Sequence, residues 1–90
     1  MVEVRAGVDA LDEQIVELLG QRFRFMDAAA RIKPSRGAVR DEARKSQVIG
    51  NVRRAAAGCG IPDELIARLY ETLVEGSIAY EFDEFDSRHG

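Results

Sequence analysis

The sequence predicts an all-α protein, and three observations carry that prediction. Apolar residues recur at steps of three and four over long runs, and nothing alternates with period two for long. Only 2 prolines interrupt a chain dominated by the helix formers Ala, Leu, Glu and Arg. With 90 residues, 46% of them hydrophobic and 32% charged, the chain is expected to form one soluble domain, 1–90, with a modest core. No internal repeat or low-complexity segment divides it.

The first helix is expected from Val4 to Lys33. Val4, Val8, Leu11, Ile15, Leu18, Phe25, Ala29 and Ile32 lay an apolar stripe along one side of it. Arg22 stands on that stripe where a plain core would carry Leu. A helix of this span is roughly 45 Å long, whereas a compact globule of the chain's size is only about 30 Å across. The helix therefore overshoots its own domain, and a partner chain is the simplest cover for its stripe. Gly20 costs about 1 kcal/mol relative to Ala; it either admits a close helix or is simply tolerated. Pro34 disfavours helical geometry at Lys33, and Pro34-Ser35-Arg36-Gly37 reads as a short breaker loop.

Asp41 is a candidate N-cap for a second helix running to about Gly58. Its apolar face is Val48, Ile49, Val52, Ala55 and Ala56, and a step of four back from Val48 brings Arg44 onto that face. Gly58-Cys59-Gly60 is the stop signal. A third helix is expected from about Pro62, with Asp63 and Glu64 complementing its dipole. Leu65, Ile66, Leu69, Tyr70, Leu73, Val74, Ile78, Phe82 and Phe85 give it a broad apolar face. Leu73, Ser77 and Glu81 continue one edge, which delivers a carboxyl group beside the core. The polar residues Asp83 to Gly90 are expected to fray.

Composition excludes several functions. The net charge of −3 argues against binding duplex nucleic acid, although a local cluster of arginines can still hold a small anion. Cys59 is the one cysteine, so there is neither a disulfide framework nor a paired-thiol metal site. His89 is the one histidine and is expected to be a solvated tail residue. No apolar run has signal-peptide or membrane-spanning length, which makes the cytoplasm the expected location and a membrane partner unexpected.

The chemistry is concentrated in charged residues that face inward. Arg22 and Lys33 are separated by about 1100° of helical rotation, so they lie within about 20° of one face. Arg44 joins them from the second helix and Glu81 from the third. Arg5 points about 100° away from the Arg22 face; it cannot easily serve its own chain's pocket but is placed to serve a neighbour's. Buried cations need anions. The bland reading is a fixed Arg22–Glu81 salt bridge, but that leaves positive charge uncompensated. A ligand with two carboxylates compensates it, because guanidinium groups grip carboxylates in bidentate fashion.

These residues resemble the small all-helical chorismate mutases of the shikimate pathway, over nearly the whole chain. Arg5-x-x-Val8-Asp9-Ala10-Leu11-Asp12 is similar to that family's opening motif, and Leu18-Leu19-Gly20-Gln21-Arg22 to its Leu-Leu-x-x-Arg. Arg31-Ile32-Lys33 and Val39-Arg40-Asp41-x-x-Arg44 follow in the family's order, then Ile61-Pro62 and Glu75-Gly76-Ser77-Ile78. The resemblance implies an intertwined homodimer with two shared sites and a dicarboxylate substrate, chorismate. Arg5 of the partner chain and Arg22 would hold its carboxylates. Arg44 would lend charge, and Lys33 would donate to the ether oxygen. Asp41, Ser77 and Glu81 match further same-chain positions. The implied reaction, chorismate to prephenate in phenylalanine and tyrosine biosynthesis, is a pericyclic rearrangement needing no nucleophile, metal or cofactor; positioning and electrostatics carry it.

Two positions depart from the family pattern. Where glutamine commonly accompanies Lys33 on the ether oxygen, this chain has Glu81. A carboxylate would repel that oxygen as it becomes negative, so the expectation is a protonated Glu81 and activity skewed toward acidic pH. Where many members bind the ring hydroxyl with glutamate, this chain has Lys45, which either points to solvent or meets the ring and disfavours amino-substituted chorismate. The isochorismate–pyruvate lyases share the fold and the matching cations, and the short Lys33–Arg44 loop and Lys45 suit them too. A silent helical dimer acting as a binding module is the third reading.

Overall fold

The computed structural model describes residues 1–89 and contains three α-helices: α1 (Val2–Ile32), α2 (Glu42–Gly58) and α3 (Asp63–His89). A single 3-10 turn, Arg36–Ala38, sits between α1 and α2. The boundaries follow from local chemistry. Lys33 is extended (φ −61°, ψ 135°), as the following proline demands. The Asp41 side chain accepts a hydrogen bond from the Arg44 backbone N–H at 2.9 Å, capping α2. Gly60 takes the left-handed conformation (φ +72°) that closes α2. Pro62 lies just before α3, and its carbonyl accepts from the Ile66 N–H.

The expected fraying of the tail does not occur before His89. The α3 helix runs on because Phe85 is buried in the core and the His89 ring stacks on it, centroids 4.1 Å apart. His89 is therefore exposed but not a free tail residue. Gly90 lies outside the described residues.

The core is small: Ala30, Val39, Val74, Ile78 and Phe85, flanked by Val48, Ile49, Tyr70 and Phe82. Only the second half of α1 contributes to it. That half packs on α3 through Phe23, Met26 and Ala30; the Phe23 and Tyr80 rings meet edge to face at 4.9 Å, and the Tyr80 hydroxyl donates to Asp27 at 2.7 Å. Ala30, with no exposed surface, lets the helices close. The first half of α1 projects free, giving extents of 51 × 25 × 15 Å and a radius of gyration of 15.7 Å. A compact chain of this length would have about 12 Å.

The stripe that marked α1 is consequently bare. Val4, Val8, Leu11, Ile15 and Leu18 are all more than half exposed, and Phe25 and Ile32 reach 73% and 77%. The face that packs on α3 is rotated from the stripe, because Phe23, Met26 and Ala30 also recur at steps of three and four. On α3, Leu65 and Leu69 are exposed as well, a correction to the broad apolar face. Ala55 is exposed while Ala56 is buried. No atom lies within 4 Å of a methyl group built on Gly20, so no helix of its own chain approaches there.

Candidate functional site

A cavity of about 330 Å³ opens where the second half of α1, the first half of α2 and the middle of α3 meet. Its wall is built from Arg22, Met26, Ala29 and Lys33 of α1, Val39 of the loop, and Asp41, Arg44, Lys45 and Val48 at the start of α2. Val74, Ser77, Ile78 and Glu81 of α3 complete it. Seven of the eight positions singled out in the sequence thus line one space. The eighth, Arg5, is exposed on the free half of α1 and is not in this wall.

The charges are arranged unevenly. Arg22 is half-buried, and its Nη1 donates to the Ser77 hydroxyl at 2.6 Å. Ser77 in turn donates to the Leu73 carbonyl at 2.7 Å, so its oxygen is fixed as an acceptor for Arg22. The guanidinium also lies over the Tyr70 ring, 5.9 Å from its centroid. The expected alternative of an Arg22–Glu81 salt bridge is not what forms. Glu81, only 4% exposed, sits with Oε1 2.6 Å from Lys33 Nζ. The physical reason is reach: Ser77 stands one turn before Glu81 and meets Arg22 first.

The Lys33–Glu81 contact is close but poorly directed. Glu81 Oε1 is buried and receives no well-angled hydrogen bond. The Lys33 ammonium donates instead to the Val39 carbonyl, at 3.3 Å. The pair is ionic by distance and leaves the carboxyl oxygen with unused acceptor capacity.

Lys45 is turned away from bulk solvent, which corrects the solvent-facing reading of it. Its ammonium is taken by two carboxylates of α3, Glu71 Oε1 at 2.6 Å and Glu75 Oε2 at 2.8 Å. The hydrogen bonds that the ammonium donates to Glu71, then to Glu75, raise the Lys45 pKa above its ordinary value. Glu75 also accepts from Arg40 at 2.7 Å and 3.2 Å. Arg40 and Lys45 together hold the Glu75 carboxyl down at about 2. The signal for this network was present in the sequence: Glu71 and Glu75 are one turn apart on one face of α3.

Arg44 is exposed at the cavity mouth rather than on a buried face of α2; its Nη1 donates to Gln47 Oε1 at 2.7 Å. Lys33 has Glu81, and Lys45 has Glu71 and Glu75. Among the described residues, Arg22 and Arg44 alone of the four cavity cations bond only neutral side chains. Each guanidinium carries five N–H donors and uses one in these side-chain contacts. The cavity therefore holds two under-used, permanently charged forks a short way apart. Among the described residues there is no group of three His, Cys, Asp or Glu side chains that could hold a metal ion, and no helix long and apolar enough to cross a membrane.

A helical bundle presenting a lysine and two guanidinium forks that bond only neutral side chains in one cavity has the chemistry to grip a small organic anion. The chain belongs to the type II chorismate mutase family, whose profile matches residues 4–82. It is also similar to the isochorismate pyruvate lyase of Pseudomonas aeruginosa, being 24% identical over 90 residues that cover 100% of this chain and 89% of that protein. No solved structure matches it.

Proposed function

We propose that the protein is a chorismate mutase, a cytoplasmic enzyme of aromatic amino-acid biosynthesis, working as a homodimer. The observation that carries this reading is the pair Arg22 and Arg44, whose hydrogen-bonding side chains are neutral, beside Lys33 in one cavity. A dicarboxylate supplies the anion that the chain itself does not. A cavity of about 330 Å³ is in the range for a small organic ligand.

In this reading Arg22, fixed by Ser77, grips one substrate carboxylate, and Arg5 of a second copy grips the other. Lys33 donates to the ether oxygen as the carbon–oxygen bond breaks, and Arg44 adds positive potential at the mouth. Asp41 caps the helix turn that carries Arg44. Lys45 forms part of the wall, its charge answered by Glu71 and Glu75. The chain's contribution is to hold the folded conformer of the substrate and stabilise developing charge with preorganised donors. The bare α1 stripe, with Leu65 and Leu69, supports the dimer: so much exposed apolar surface on one small chain calls for a covering partner.

Isochorismate–pyruvate lyase activity is the second reading. It is favoured by the Pseudomonas aeruginosa relative and by Lys45, which replaces the carboxylate that would read a ring hydroxyl. The test is a parallel assay of the purified protein with chorismate and isochorismate at pH 5 and 7.5. Prephenate from chorismate supports the mutase; pyruvate from isochorismate, with little prephenate, moves the protein to the lyase. No product from either, with no dicarboxylate-induced rise in Tm, leaves a silent helical dimer.

A further inference from the structure

We infer that Glu75 is a positioning residue, which clamps the first turn of α2 onto α3 and so aims Arg44 and Asp41 at the cavity. This rests on the functional reading above only for its effect on turnover.

Arg44 has little of its own to hold it. It is exposed, and its guanidinium contacts only Gln47 of the same helix. Its direction is therefore inherited from the backbone of the α2 first turn. That turn is short of apolar anchors: Glu42, Ala43 and Arg44 are all exposed, and the first half-buried apolar residue is Val48. Val39, buried two residues before the Asp41 cap, is its nearest apolar anchor, and polar contacts hold the rest of the turn.

Glu75 is the group so placed. Arg40 precedes the Asp41 cap and Lys45 follows Arg44, so the two cations bracket the functional pair on both sides. Both converge on Glu75: Arg40 Nη2 to Oε1 at 2.7 Å, Arg40 Nη1 to Oε2 at 3.2 Å, and Lys45 Nζ to Oε2 at 2.8 Å. Three charge-assisted bonds from two points on the α2 entry meet on one carboxylate, a geometry that fixes direction as well as distance. Glu75 is two residues before Ser77, which holds Arg22, so one short segment of α3 sets both guanidinium forks. Glu42 and Glu71 are lesser members, each bonding one of the two cations. The same bonds keep the Lys45 ammonium on the α3 side.

The test uses the full-length chain with Glu75→Met, which keeps the side-chain length and removes the carboxylate, and Glu75→Asp, which restores the charge. Arg40 and Lys45 keep Glu42 and Glu71, so neither variant strands a lone cation. Amide hydrogen exchange and kinetics on both candidate substrates are read together. In Glu75→Met, exchange over residues 39–48 is expected to rise about tenfold while residues 19–33 stay protected. The expected loss of kcat/KM is roughly 10- to 100-fold, the scale for an Ångström of misplacement. Glu75→Asp recovers most of both. Unchanged exchange over 39–48, an equal rise everywhere, or wild-type kcat/KM in Glu75→Met overturns the clamp. If the wild type turns over neither substrate, the functional reading fails on that result, and the exchange pattern alone decides whether Glu75 clamps the turn.

Discussion

Glu81→Gln is the perturbation that probes the site most sharply. In the structure the Glu81 carboxyl is buried against Lys33, 2.6 Å away, with its Oε1 lacking a well-angled donor. In the proposed reaction a carboxylate here would oppose negative charge on the ether oxygen and compete for the lysine that should stabilise it. Glutamine has the same shape, carries no charge and brings an N–H. A hydrogen bond to a charged group contributes about 1.5–3 kcal/mol, and the low end of that range is already about tenfold in rate. We expect Glu81→Gln to raise kcat/KM at pH 7.5 about tenfold or more. The substitution should also cost stability. Breaking a fully buried ion pair costs about 3–5 kcal/mol, but the Lys33 side chain is 28% exposed and keeps its bond to the Val39 carbonyl. We therefore expect a loss of about 1 kcal/mol, or a Tm lower by roughly 4–8 °C. Steady-state assays from pH 5 to 8 alongside thermal melts read both effects. A Glu81→Gln variant slower than wild type at every pH refutes the reasoning, because Glu81 would then work as a carboxylate that aims Lys33.

Three further outcomes follow from the same contacts. Arg22→Ala removes one half-buried hydrogen bond, so calorimetry should find it within about 1 kcal/mol of wild type in stability, but the Tm rise that a dicarboxylate induces should vanish. Val39→Ala opens space at a residue only 2% exposed and should cost about 2 kcal/mol by denaturant titration. The Tyr80 hydroxyl, bonded to Asp27, has its pKa pushed up to about 12. Its folded-state pKa exceeds the unfolded value of about 10, so its contribution is complete below pH 10 and is lost as pH rises through about 12. Tyr80→Phe should melt a few degrees lower at neutral pH and lose less than wild type across that alkaline window.

The helices were legible because each has a local cause near its ends: Pro34 after Lys33, Asp41 before the α2 run, Gly60 after it. The gathering of Arg22, Lys33, Arg44 and Glu81 was legible too, since rotation along a helix fixes which residues share a face. What escaped was pairing between helices. Whether Arg22 meets Ser77 or Glu81 depends on the axial offset of α1 against α3, and periodicity carries no information about offset. Lys45 escaped for the same reason, its carboxylate partners lying on another helix. The face of α1 that packs was also ambiguous. Two apolar patterns share the helix, one through Phe25 and Ile32, the other through Phe23, Met26 and Ala30, and only packing on α3 chooses between them. Helix length is more informative, because a helix too long for its globule leaves a bare stripe whichever face packs.

In the proposed enzyme, Arg5 from a second copy of the chain would complete the cation cavity. Subunit complementation tests it most directly. Arg5→Ala and Arg22→Ala are each prepared alone, then unfolded together in equal amounts and refolded. If each site takes Arg22 from one chain and Arg5 from the other, both variants are inactive alone. Random pairing makes half the dimers mixed, each with one intact site, so about a quarter of wild-type activity should return. If the refolded mixture stays at the level of the separate variants, the site is not shared between chains and the account is contradicted.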